Sequence, residues 1–135
     1  MRRRLGPYGK FIRIEDRSQE GVPDVLCLVQ GQVSWIELKR INWPARPSTI
    51  ISIPSLKLEQ VRFLLDWSRA GGSAWLLLQA SRDYLLLSPW HVEQLFHGRY
   101  RRLDVIQAAT VRGAGSFPAA PIFRTLLGKP FPTKK

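Results

Sequence analysis

A chain of 135 residues with 44% hydrophobic content and five tryptophans holds enough apolar side chain for one packed domain, which excludes a disordered chain and a pair of ordinary domains. Its 21 Lys and Arg against 10 Asp and Glu leave a formal net charge of +11, which favours a polyanionic partner because each cation that meets a phosphate releases condensed counterions. Nucleic acid leads and an anionic membrane trails; the single cysteine, Cys27, excludes an internal disulfide and a Cys-rich zinc site.

Residues 1–10 (MRRRLGPYGK) read as a basic, irregular arm with no apolar stretch of the kind a secretory signal needs. Residues 11–17 (FIRIEDR) predict a strand with Ile12 and Ile14 on one face and Arg13 and Glu15 on the other, followed by a Gly/Pro loop over 18–23. Residues 24–30 (DVLCLVQ) are almost wholly apolar, as a strand covered on both faces should be. Gly31-Gln32 predicts a tight turn, and 33–40 (VSWIELKR) the returning strand. Three prolines make 42–54 a long loop, after which Ser55 is the expected N-cap of a helix over 56–70. In that helix Leu58, Val61, Leu64 and Leu65 recur at helical spacing, and Gly71-Gly72 ends it.

Two further strands are expected over 73–81 and 83–88, around a Ser81-Arg82 turn, with Ser88-Pro89 opening a short helix that Gly98 closes. Residues 100–109 fit helix or strand, and 111–135, rich in Gly and Pro with a basic end, read as an irregular tail. No segment approaches the ~20 apolar residues of a membrane span, so a cytoplasmic protein is expected. The order of elements indicates an α/β fold, a mixed sheet flanked by helices, in a single domain over 11–110.

The stretch GVPDVLCLVQGQVSWIELKR (21–40) carries the chemistry. Glu37 and Lys39 interrupt an apolar strand at spacing i, i+2, which points both side chains to one face, about 6.6 Å apart. A two-residue Gly31-Gln32 loop pairs Gln30 with Val33, which sets Lys39 opposite Asp24 and Glu37 opposite Leu26. Any even loop keeps Asp24, Glu37 and Lys39 on one face, whereas an odd one separates them. Two carboxylates suit a hard divalent cation that polarises a phosphoryl oxygen, and a lysine beside them steadies the developing charge. Taken alone, charges at i, i+2 are more often a solvated edge strand; the apolar surroundings and Pro23-Asp24 favour the functional reading.

Pro23-Asp24 followed across a hairpin by Glu37-Leu38-Lys39 resembles the PD-(D/E)XK signature of the restriction-endonuclease-like nucleases. The setting GVPDV and GQVSWIELK is most similar to the virus-type replication-repair nucleases (VRR-NUC) and to archaeal and phage Holliday-junction resolvases, over about residues 11–79. The resemblance implies a restriction-endonuclease-like fold and a metal-dependent DNA endonuclease with Mg²⁺ or Mn²⁺ on Asp24, Glu37 and the backbone carbonyl of Leu38. Lys39 then stands near the water nucleophile, and branched or single-stranded DNA is the implied partner. It also implies a phage or prophage origin, with action in the host cytoplasm.

Gln60, in LEQVRFL, matches a helix glutamine of the VRR-NUC group and equally fits the polar margin of an amphipathic helix. Many relatives carry a further glutamate on a helix before the first strand; this sequence has none there, and Glu15, ahead of Glu20, is the candidate for that role. The lack of that helix leaves one sheet flank bare, which favours a homodimer. Arg13, Arg17, Arg40, Arg46 and Lys57 flank the acidic pair as candidate phosphate contacts, and Trp43 is either a stacking residue or a packing one. His91 and His97 lack the spacing of a metal pair, and no phosphate loop or G-x-S-x-G elbow is present. The rival reading is a non-catalytic nucleic-acid-binding module on the same fold.

Overall fold

The computed structural model describes residues 8–14 and 21–128. Among these residues ten elements follow one another: β1 (Lys10–Arg13), β2 (Val25–Val29), β3 (Gln32–Ile41), α1 (Leu58–Arg69), β4 (Ser73–Ala80), β5 (Asp83–Leu87), α2 (Pro89–Phe96), α3 (Arg102–Ala108), β6 (Val111–Ala114) and α4 (Ala119–Leu126). The strands form one sheet in the order β1-β2-β3-β4-β5-β6, parallel at β3–β4 and antiparallel at every other pair. A parallel neighbour cannot be reached by a hairpin, so the long connection from β3 to β4 crosses over the sheet and lays α1 on one face.

The mixed sheet flanked by helices agrees with the architecture read from the sequence. On one face, Leu76, Leu78, Leu85 and Leu87 pack with Val61 and Leu64 of α1, Val92 and Leu95 of α2, and Val105 of α3. On the other, Val25, Cys27, Ile36, Leu77 and Leu86 pack with Ile122 and Leu126 of α4. Leu76, Leu77 and Leu78 of β4 are all buried, because this central strand is covered on both sides. Cys27 is fully buried, and burial pushes its thiol pKa up to about 12, so it serves as a small apolar core residue.

Four local readings change. Val29 pairs with Gln32, so the hairpin loop is Gln30-Gly31 and not Gly31-Gln32. Both loop residues have positive φ, 47° and 84°, the geometry of a type I′ turn whose twist matches that of the strands. In β1 it is Phe11, opposite Cys27, that is buried, whereas Ile12 is 45% exposed; the expected inward face of this strand is reversed. Helix α1 starts after Lys57 rather than after Ser55, because the amide of Leu56 turns back onto the carbonyl of Ile53 at 2.9 Å and buries the Leu56 side chain first.

The fourth concerns residues 100–128, where α3, β6 and α4 occupy the ambiguous stretch and most of the expected irregular tail. The Gly and Pro there are turn chemistry. A Cβ on Gly113 would come 2.1 Å from the Ser116 carbonyl oxygen, Gly115 has φ of 81°, and Pro118 caps α4. Among the described residues no helix is long and apolar enough to cross a membrane.

Candidate active site

Asp24 stands just before β2, with its backbone carbonyl accepting from the Ile14 amide at 2.8 Å. The approach to it depends on Gly21, whose φ is +88° and whose missing Cβ would lie 2.6 Å from the Glu59 carbonyl oxygen in the first turn of α1. Extending the β2–β3 register one step beyond Val25↔Ile36 sets Asp24 across from Glu37, two residues from the expected partner Lys39. The true loop is still even in length, so Asp24, Glu37 and Lys39 share a face as anticipated.

The contacts close into a small cluster. An Asp24 carboxylate oxygen (Oδ2) accepts from the Leu38 amide at 2.9 Å. A residue's N–H and C=O leave an extended strand on the same edge, so the Leu38 carbonyl points to the side of β3 on which Asp24 lies. Glu37 is 1% exposed, and its Oε2 accepts from Gln60 Nε2 at 3.0 Å and lies 3.3 Å from Lys39 Nζ. Lys39 Nζ also donates to the Ser55 carbonyl at 2.8 Å, and Gln60 Oε1 accepts from the Lys57 amide at 2.9 Å at the start of α1.

The other oxygen of Glu37, Oε1, is buried and has no hydrogen-bond donor among the described residues. Burial first, and the charge of Asp24 second, push the Glu37 pKa from 4.5 up to about 7, with Lys39 opposing. A buried carboxylate oxygen without a donor, beside a second carboxylate, is electrostatically short of positive charge. The donors suit Mg²⁺ or Mn²⁺, which take oxygen ligands and retain water; the described residues hold no cluster of three or more His, Cys, Asp or Glu.

The remaining candidates are dispersed. Arg40 alternates to the opposite sheet face from Glu37 and Lys39 and is exposed. Arg13 is exposed and pairs with Val25, so it shares that residue's face rather than that of Asp24. Arg46 lies exposed in the loop after β3, and Lys57 is exposed at the N-cap of α1. Glu15, Glu20 and Arg17 fall outside the described residues. Trp43 is a packing residue: its Nε1 donates to Asp83 Oδ2 at 2.8 Å and the Arg102 guanidinium lies 5.1 Å from its ring centroid. Sequence reasoning missed the Ser55 carbonyl that holds Lys39, and a backbone acceptor leaves no signal in residue identity.

No protein-family model matches the sequence, and no curated protein matches it. Among solved structures, the chain is similar to Hjc from Archaeoglobus fulgidus, a Holliday junction resolvase from an archaeal hyperthermophile, with a TM-score of 0.58 at 15% sequence identity. The match covers 91% of this chain and 93% of that one. This chain shares the fold of that protein.

Proposed function

We propose that the protein is a divalent-metal-dependent DNA endonuclease of the PD-(D/E)XK type, selective for branched or single-stranded DNA and closest in kind to VRR-NUC and junction-resolving enzymes. The observation that carries this reading is the buried Glu37 carboxylate with one oxygen unsatisfied, set beside Asp24 and Lys39 on one sheet face. The whole-chain likeness in fold to an archaeal Holliday junction resolvase supports it.

Asp24, Glu37 and the Leu38 carbonyl would hold Mg²⁺ or Mn²⁺. The bound ion supplies Lewis acidity at the phosphate and lowers the pKa of a water. Lys39, anchored by Glu37 and by the Ser55 carbonyl, keeps its ammonium at the site, where it orients the attacking water and stabilises charge developing on the phosphoryl oxygens. Gln60 holds the Glu37 carboxylate from α1, tying that helix to β3. Glu15 is assigned as a further acid, and Arg13, Arg17, Arg40, Arg46 and Lys57 as phosphate contacts. Ile12, Leu28 and Val33, exposed on a common face of β1–β3, form an apolar surface that a second copy would cover.

The test is a cleavage panel over four-way junctions, flaps, single strands and duplexes with Mg²⁺, Mn²⁺ or EDTA. Cleavage with either metal and none with EDTA is expected. If the purified chain leaves all four substrates intact in both metals, the enzyme reading is wrong.

A further inference from the structure

Strand β3 divides two environments. Glu37 and Lys39 face α1, whereas Leu38 and Arg40 face the other way, onto a cavity of about 350 Å³ lined by Leu38, Arg40, Leu77, Gln79, Tyr84 and Phe117, and reaching Lys39. The registers Leu38↔Leu77, Arg40↔Gln79 and Gln79↔Tyr84 place these side chains on one face of three adjacent strands, since cross-strand partners share a face. Leu38 thus supplies the cavity floor with its side chain and the proposed metal ligand with its carbonyl.

The lining has distinct chemistry at each wall. Leu38 and Leu77 make an apolar floor; Tyr84 and Phe117 meet edge to face, with ring centroids 5.3 Å apart, and form an aromatic wall. Gln79 brings a side-chain amide whose Nε2 reaches the Ser81 carbonyl at 3.3 Å, and Arg40 sets an exposed guanidinium at the mouth. An aromatic wall, an amide able to accept and donate, and a cation at the rim match a heteroaromatic base joined to a phosphate. The volume lies within the range of small-ligand sites.

We propose that this cavity receives one unpaired nucleotide of the DNA strand whose phosphate is held at Asp24, Glu37 and Lys39, and that it is a source of selectivity for branched or single-stranded DNA. The proposal rests on the nuclease reading above for the position of that phosphate. A base stacked within a duplex cannot enter a cavity on the far side of β3; only a base turned out of the helix can. Phe117 and Gln79 recognise the base, and Arg40 meets the phosphate beside it.

The test uses the full chain in EDTA, so that no cleavage intervenes, with single-stranded oligonucleotides carrying 2-aminopurine at successive positions. One position is expected to change fluorescence on binding. Gln79→Ala and Phe117→Leu should each abolish that change and weaken single-strand binding on the order of tenfold, while retaining the affinity for fully paired duplex. Phe117→Leu keeps an apolar side chain against Tyr84, and thermal melting of both variants verifies the fold. The proposal is overturned if no position responds, if both variants respond as the wild type does, or if they lose duplex and single-strand binding equally. It is also overturned if a free 2-aminopurine nucleotide at the same concentration produces the same Phe117-dependent signal, since the cavity would then serve a free nucleotide. A chain that shows the position-specific signal but never cuts DNA retains the pocket and loses the nuclease reading; one that cuts without the signal does the reverse.

Discussion

Replacing Glu37 by Gln should stabilise the metal-free protein at alkaline pH, although it removes a residue assigned to catalysis. The carboxyl of Glu37 has its pKa raised from 4.5 to about 7 in the folded chain, chiefly by burial and then by Asp24. The folded state therefore holds a proton that the unfolded state has released between these two values, and stability falls as pH rises through that window. At about 1.4 kcal/mol per pH unit, the gap corresponds to about 3 kcal/mol lost by pH 7. With the Glu37 side chain only 2% exposed, solvent screening takes little from this figure. The attraction between Glu37 and Lys39 at 3.3 Å opposes the rise and is already contained in that net shift. Urea denaturation of both proteins in EDTA from about pH 4.5 to pH 8 gives the measurement. The advantage of Glu37→Gln over the wild type should grow with pH and level off above pH 7, while groups common to both cancel. A difference that stays constant across the range would refute the reasoning.

At pH 8, Mg²⁺ at about a hundred times its dissociation constant should stabilise the wild type by about 2.7 kcal/mol, and Asp24→Ala and Glu37→Gln should lose most of this, as read by thermal shift. Asp24→Ala should lower Mg²⁺-dependent cleavage more than about a hundredfold, given the several kcal/mol a Lewis acid contributes, with DNA binding in EDTA unchanged or stronger in a gel-shift assay. Gly21→Ala, at φ of +88° and with the Glu59 carbonyl in the way of a Cβ, should cost about 1–3 kcal/mol by denaturation. Single-strand binding should weaken steeply with salt, and Lys57→Ala should reduce the log–log slope by about 1 if that cation meets a phosphate, as measured by fluorescence anisotropy.

The legible parts of the sequence were those governed by period and parity. The alternation of Glu37 and Lys39 against apolar neighbours, and an even turn, were enough to bring Asp24 onto the same face, even though the turn is Gln30-Gly31 and the partner of Asp24 is Glu37. What escaped depended on competition between near-equals. Phe11 and Ile12 both suit a core, and the register against Cys27 selects Phe11. The helix starts later than Ser55 suggests, because that residue offers a capping side chain whereas it is the burial of Leu56 that turns the chain first. Residues 111–128 are structured although their composition suggests a tail, because glycines and prolines such as Gly113 and Pro118 serve a tight return there. The cavity beside β3 was invisible for another reason: Arg40, Gln79 and Phe117 are far apart in sequence, and no periodicity links them.

The parallel pairing of β3 with β4 makes completion of the site depend on a long loop closure. The β2–β3 hairpin closes through a two-residue turn, a local event on the microsecond scale. Glu37 is then still open to water, without the burial that raises its pKa in the folded chain. Gln60 and Ser55 lie in the crossover, and they reach Glu37 and Lys39 only when β4 docks in register, with Ser34 Oγ donating to Ser73 Oγ at 2.8 Å where the two strands begin. That long loop closure is the slower step. Glu37 is brought beside Asp24 early and desolvated late, so refolding in the absence of metal, between about pH 4.5 and pH 7, should take up a proton as its final stage.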